Sequence, residues 1–454
     1  MARGPGAGQP ARGHFAAGHA SHTLGGMHAP APTAPAGLTR QQAKTLTLSA
    51  LGGALEFYDF VIFVFFATTM GALFFPADMP GWMRMVQTFG IFAAGYLARP
   101  LGGVVMAHFG DLLGRKRMFM LSILMMAVPT LLMGLLPTYA QAGVLAPLLL
   151  LLLRLLQGAA IGGEAPGAWV FVSEHVSPRH RTLACGALSA GLCAGILLGS
   201  LVARAVNAAF DEATLLAWGW RVPFVVGGVF GLLAMVLRRQ LHETPVFAEL
   251  QARRALAAEL PLKTVLRAHG GAVLLAMLLT WLLTAAVVVT LLMMPTLLQG
   301  LGVPRGAALE GNTWAILACV VANLVAGVLA DRFGAGRVLA LWSALLGAVF
   351  FAFYSNAMAG AYSHGLYALA GFAVGLTALV PAIAVGGFPA PVRFSGLSFA
   401  YNMAYAIAGG LTPVLLSMAI KDHPAAPIHY MLAMSALGIG LGLHVARRHS
   451  RVPD

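Results

Sequence analysis

The chain has 454 residues, 59% of them hydrophobic and only 9% charged, with a formal net charge of +13. A soluble globular chain carries roughly 25% charged residues. These values therefore exclude an ordinary soluble enzyme, a disordered chain and a nucleic-acid-binding domain, and leave a polytopic membrane protein.

Residues 1–44 are rich in Gly, Ala, Pro and His and hold no acidic residue and no sustained apolar run. They read as a disordered N-terminal tail, without the apolar core of a cleaved signal peptide. His14, His19, His22 and His28 could meet a metal there, but in so biased a segment they read as incidental, and no metal site is expected. Twelve apolar runs long enough to span follow, at 45–75, 84–108, 116–136, 142–174, 182–207, 216–239, 269–298, 306–330, 336–356, 363–389, 394–419 and 427–446. The expected fold is all-α, with a six-helix bundle at 45–239, a cytoplasmic linker at 240–268, a second six-helix bundle at 269–446 and a short C-terminal tail at 447–454. Cys185, Cys193 and Cys319 all lie inside apolar runs and read as small packing residues, with no disulfide framework.

With the N-terminus cytoplasmic, 21 of the 28 Lys and Arg fall in inside segments, four in outside segments and three within spans. The asymmetry places both termini inside. It also accounts for the net charge as a record of topology rather than a nucleic-acid footprint.

The two halves read as a repeat. Gly110-Asp111-Leu112-Leu113-Gly114-Arg115-Lys116-Arg117 joins spans 2 and 3, and Ala330-Asp331-Arg332-Phe333-Gly334-Ala335-Gly336-Arg337 joins spans 8 and 9. Spans 5 and 11 are each preceded by a Pro and an Arg, Pro178 and Arg181 and then Pro391 and Arg393. Parallel six-span repeats place a substrate site near the membrane midplane, between the halves.

These residues resemble a known superfamily. The Gly110-Asp111 to Lys116 loop, with its degenerate copy, resembles the loop signature of the major facilitator superfamily. Ala54-Leu55-Glu56-Phe57-Tyr58-Asp59-Phe60, Ala98-Arg99-Pro100-Leu101-Gly102-Gly103, Arg154-Leu155-Leu156-Gln157-Gly158 and Gly162-Gly163-Glu164 are similar to its metabolite:proton symporter family. So are Trp218-Gly219-Trp220-Arg221-Val222-Pro223-Phe224, Glu243-Thr244-Pro245-Val246-Phe247 and Val392-Arg393-Phe394-Ser395-Gly396 with Tyr401-Asn402. The resemblance implies two pseudo-symmetric bundles, alternating access, a bacterial-type inner membrane, proton-coupled symport of an osmolyte or organic acid, and coupling charges in spans 1 and 4. Departures stand at Gly53, Leu112 and Pro166, the last expected to interrupt span 4.

Ionisable groups inside a bilayer are costly and are functional candidates. Glu56, about 16 Å along span 1, and Glu164, about 15 Å from the same face in span 4, lie near the midplane, with Asp59 one turn beyond Glu56. A lone carboxyl at that depth tends to hold its proton, and a nearby arginine ionises it, so moving or occupying the arginine would couple substrate to proton. Glu56, Asp59 and Glu164 are therefore the candidate proton carriers, in that order. Arg154 and Arg99 are the candidate carboxylate clamps, because a guanidinium makes a two-pronged match. Gln157 shares a helix stripe with Glu164, and Tyr58, Asn402, Tyr401 and Trp281 could wall or hydrogen-bond a substrate. At the loops, Asp111 is expected to face the positive start of span 11, Arg115 to reach Glu174, and Gly110, Gly114, Lys116, Asp331 and Arg337 to complete an inner gate.

Gly191, Gly195 and Gly199 in span 5 allow close helix approach, and Ile196 stands where the superfamily's drug antiporters carry Pro. No HExxH, Walker loop or Gly-x-Ser-x-Gly is present, so no enzyme chemistry and no cofactor are expected. The partners expected are a small polar metabolite, protons and the bilayer, with the chain acting as a monomer. A proton antiporter exporting a metabolite or drug, and a non-transporting sensor, are the alternatives.

Overall fold

The structure is a computed structural model that describes residues 39–113, 115–239, 249 and 261–449. The tail histidines, Gly114, the Glu243-Thr244-Pro245-Val246-Phe247 stretch and most of the expected linker lie outside the described residues, as do the side chains of Glu56, Asp111 and Arg115. Among the described residues there is no strand, and twelve helical stretches are long and apolar enough to cross a bilayer. They are α1 (Arg40–Phe65), α2 (Val86–Phe109), α3 (Lys116–Leu135), α4 (Leu145–His175), α5 (Pro178–Ala209), α6 (Gly219–Val236), α7 (Gly270–Gly300), α8 (Gly306–Phe333), α9 (Ala335–Met358), α10 (His364–Gly386), α11 (Ala390–Ile420) and α12 (Ala426–Arg448).

The first helix starts at Arg40, before the apolar run expected from residue 45. Thr39 explains the early start. Its hydroxyl accepts from the Gln42 amide while the Gln42 side chain reaches back to Thr39, a reciprocal cap on a polar first turn. Beyond Phe65 the chain turns at Phe66 and continues as a short helix, Ala67–Phe74, so the run expected to end at 75 is two helices.

Helix pairing repeats between halves. In the first half α1 packs on α5 and α6, α2 on α4, and α3 on α6; in the second, α7 packs on α11 and α12, α8 on α10, and α9 on α12. The halves meet along two long seams, α2 with α11 and α5 with α8. One continuous apolar core includes residues of both halves, from Tyr96 and Trp169 to Ile316 and Tyr401. A second core, around Ile62, Phe66, Phe74 and Trp220, belongs to the first half alone. The outer face is apolar, with Leu97 at 69% and Leu101 at 71% exposed, which suits hydrocarbon and not water.

Small residues set the tightest crossings. The span 5 glycines lie on α1: a Cβ at Gly191 or Gly195 would fall on the carbonyl of Ala50 or Ala54. On the α2–α4 crossing, a Cβ at Gly158 would fall on the Gly95 carbonyl, and one at Gly162 on the Arg99 carbonyl. This backbone-to-backbone contact brings Arg99 and Arg154 into the interior.

Candidate functional site

Both arginines are 1% exposed, and each is boxed by aromatic rings. The Arg154 guanidinium stands 4.2 Å from the Phe63 ring centroid, 5.1 Å from Phe92 and 5.2 Å from Phe60. Its Nη1 donates to Gln157 Oε1 at 2.8 Å, while Nε and Nη2 have no partner among the described residues. Arg99 lies against Tyr405 at 4.3 Å, Tyr96 at 5.5 Å and Tyr401 at 5.6 Å, and its Nε and Nη2 are also unpartnered. Aromatic faces attract a cation, but they leave the in-plane donors of a guanidinium unmet. Two buried arginines thus hold donors ready for an anion.

The acids do not form one cluster with these arginines. Asp59 is buried, and its two oxygens make no hydrogen bond among the described residues. It faces Thr130 of α3 and the bare backbone of Gly227 and Gly231 in α6. Beside it a polar chain joins Thr130 to Arg154: Thr130 donates to Met126 O and accepts from Gln157 Nε2 at 2.6 Å, and Gln157 accepts from Arg154. Glu164 is 4% exposed and accepts from the Ser122 hydroxyl of α3. The expected stripe of Gln157 and Glu164 therefore exists, but it faces α3 inside the first half rather than the gap between halves.

Between the halves lies a cavity of about 40 Å³, walled by Phe57, Trp169, Tyr401 and Tyr405, with Ser189, Cys193 and Thr377 as its polar side. Two bridges cross beside it. Pro166 does not interrupt α4 as expected; the helix runs through it to His175. A proline has no N–H for the carbonyl four residues back, and here that carbonyl, Gly162 O, accepts from the other half. Asn402 Nδ2 of α11 reaches it at 2.5 Å and Ser398 Oγ at 3.3 Å. Neighbouring side chains can thus keep a proline-bearing membrane helix intact. The second half repeats the device. Pro381 in α10 offers no N–H to Thr377 O, and Ser189 of α5 donates to that oxygen at 3.0 Å. Each bridge runs from the fifth helix of one half to the proline-freed carbonyl in the fourth helix of the other.

The family model of the Major Facilitator Superfamily matches residues 46–413. The chain belongs to the major facilitator superfamily. It is 31% identical to the glycine betaine/proline/ectoine/pipecolic acid transporter OusA of Dickeya dadantii, over 88% of this chain and 82% of that one. It is 33% identical to the inner membrane metabolite transport protein YhjE of Escherichia coli, over 87% of this chain and 92% of that one. Among solved structures, the proton:xylose symporter XylE with a bound bromo-deoxyglucose superposes with a TM-score of 0.71 at 16% identity, covering 90% of this chain and 95% of that one. The chain is a transporter and not an enzyme, and the two six-helix halves are the superfamily's repeat.

At the end of the bundle where α1 starts and α12 finishes, the superfamily's loop signature is seen through its second copy. Asp331, at the end of α8, accepts from the Thr182 and Leu183 amides at 2.9 Å each, at the start of α5. This is the arrangement expected of Asp111 with α11, found here for its repeat partner. Glu174 pairs with Arg393 at 2.9 Å across the halves; the expected partner Arg115 lies outside the described side chains. Lys116 Nζ lies 3.5 Å from Arg239 O, and Arg337 is exposed. The Asp331 and Glu174 contacts tie the halves together at this end, whereas the Lys116 contact stays within the first half. Asp331→Asn weakens two charge-assisted bonds, worth about 1.5–3 kcal/mol each. Hydrogen exchange at Thr182 and Leu183 is expected to accelerate by at least tenfold; unchanged exchange would deny the aspartate this role.

Two candidate wall residues sit elsewhere. Tyr58 donates to Pro223 O at 2.9 Å and fastens α1 to α6. Trp281 is 40% exposed and donates to Tyr430 at 3.0 Å, lining an outer groove with α11 and α12. Trp169, Ser189, Thr377 and Tyr405 line the cavity and were not singled out from the sequence. Of these, Tyr405 could have been found from the sequence, since it lies one turn beyond Tyr401.

Proposed function

We propose that this superfamily member is a proton-coupled symporter of a small zwitterionic compatible solute, working by alternating access. The observation that carries the reading is Arg99. Its buried guanidinium has unmet donors and lies against Tyr401 and Tyr405, whose rings also wall the cavity between the halves. A substrate carboxylate would engage those donors. The rings of Phe57, Trp169 and Tyr401 offer π-faces to a substituted ammonium. A proline- or betaine-type zwitterion carries both groups, and the name of the Dickeya relative supports that class.

Asp59 carries the proton in this reading. The hydrogen-bonded chain from Arg154 through Gln157 ends at Thr130, which Asp59 faces, so a shift of the arginine would move the residue beside the acid. The protein sits in a bacterial inner membrane with both termini cytoplasmic, as its Lys and Arg distribution favours, and draws on the proton gradient with no bound cofactor.

The test is uptake of labelled glycine betaine and proline by proteoliposomes. An inward proton gradient should drive accumulation, and a protonophore should collapse it. Asp59→Asn is expected to abolish accumulation while leaving solute exchange at equal concentrations. Accumulation that survives the protonophore would reject coupling, and accumulation under the opposite gradient would establish an exporter instead.

A further inference from the structure

Of the three cysteines, two meet across the halves. Cys193 of α5 and Cys319 of α8 place their sulfurs 3.6 Å apart, with both residues buried. Asn323 Nδ2 reaches both sulfurs, at 3.9 and 3.5 Å, and donates to Cys319 O at 2.9 Å. Thr377 holds the other end of that amide at 2.8 Å. Cys185, also buried in α5, has no such partner. The proposed transport chemistry assigns neither thiol a role, although Cys193 borders the cavity, and as packing residues they need not face each other.

We propose that Cys193 and Cys319 form a reversible oxidation site, and that the bond between them clamps the two halves. A disulfide needs sulfurs about 2.05 Å apart, so the 3.6 Å contact has to shorten by about 1.5 Å for the bond to form. The α5–α8 seam continues from there to the Asp331 end. A Cβ at Gly186 would stand 2.6 Å from Asn323 O, and one at Gly327 2.8 Å from Leu183 Cα, before the seam ends at Asp331 and Thr182. A covalent tie on this seam opposes any motion that parts α5 from α8.

The oxidant is a membrane-permeant peroxide. One cysteine sulfur attacks the O–O bond, giving a sulfenic acid and one water. The second sulfur displaces the sulfenic oxygen as another water. In balance, two thiols and one hydrogen peroxide give one disulfide and two waters, and a dithiol reductant reverses the bond.

The clamp rests on the alternating-access reading, but the bond does not, and the experiment separates them. Purified full-length protein in proteoliposomes is treated with hydrogen peroxide, then denatured and alkylated. Two of the three thiols should be lost, and non-reducing peptide mapping should recover Cys193 joined to Cys319. Cys193→Ser and Cys319→Ser should each keep the remaining two thiols reduced. Three free thiols after treatment, or a bond involving Cys185, would overturn the site. The clamp is read by hydrogen exchange over residues 182–193 and 319–331, which needs no substrate. The oxidised protein should exchange at least tenfold more slowly, and a dithiol reductant should restore the rate. A bonded protein with unchanged exchange would overturn the clamp.

Discussion

Arg99→Ala is expected to raise the half-saturating concentration for glycine betaine by about 10- to 150-fold, the span that follows from losing a hydrogen-bonded charge partner worth about 1.5–3 kcal/mol. Arg99→Lys should recover little of it, because an ammonium cannot present the planar two-pronged donor set. Truncation also removes packing against Tyr96, Tyr401 and Tyr405, so stability is expected to fall as well, but no buried charge is stranded. The guanidinium makes no carboxylate pair among the described residues, and its Nε and Nη2 are idle, so its removal leaves no buried acid uncompensated. Tyr405→Phe is the matching control. It keeps the ring face 4.3 Å from Arg99 and should change uptake by less than tenfold. Uptake kinetics in proteoliposomes, beside thermal unfolding in detergent, decide the matter. An Arg99→Ala protein with ordinary uptake would remove Arg99 from the site.

Gly158→Val should act on the fold itself. Any Cβ at Gly158 meets the Gly95 carbonyl, which cannot move aside as a flexible side chain could. Overpacking costs about 1–3 kcal/mol where neighbours can adjust, and here the neighbour is backbone. The expected result is a lower unfolding temperature and loss of uptake together, because α2 and α4 separate and carry Arg99 and Arg154 off station. Gly410→Ala provides the contrast. Nothing lies within 4 Å of its Cβ position, and alanine favours helix by up to about 1 kcal/mol, so stability should hold or rise. Equal unfolding temperatures for Gly158→Val and the unaltered protein would show that the crossing is looser than the structure has it.

The expectations failed where partners had to be named. Pro166 was expected to break its helix because its missing N–H is visible in the sequence. The donors that answer for it, Asn402 and Ser398, lie some 240 residues away in another half. Glu164 and Asp59 were expected near the midplane because depth along a helix can be counted. Rotation about the helix axis cannot be counted in the same way, and it turns Glu164 to Ser122 and Asp59 to the α3–α6 side. The thiols read as packing because each cysteine is ordinary in its own span. Their meeting is a property of the α5–α8 seam.

The sequence by itself determined the solvent, the number of spans, the repeat and the family, because hydropathy, charge bias and loop motifs are local properties that survive without coordinates. It also determined which few ionisable residues lie where charge is costly. Only the tertiary structure decided what each of them faces. The crossing at Gly95 and Gly158, the proline-vacated carbonyls and the seam contacts fix helix rotation, and rotation sets whether a buried charge meets a cavity, a partner helix or the other half.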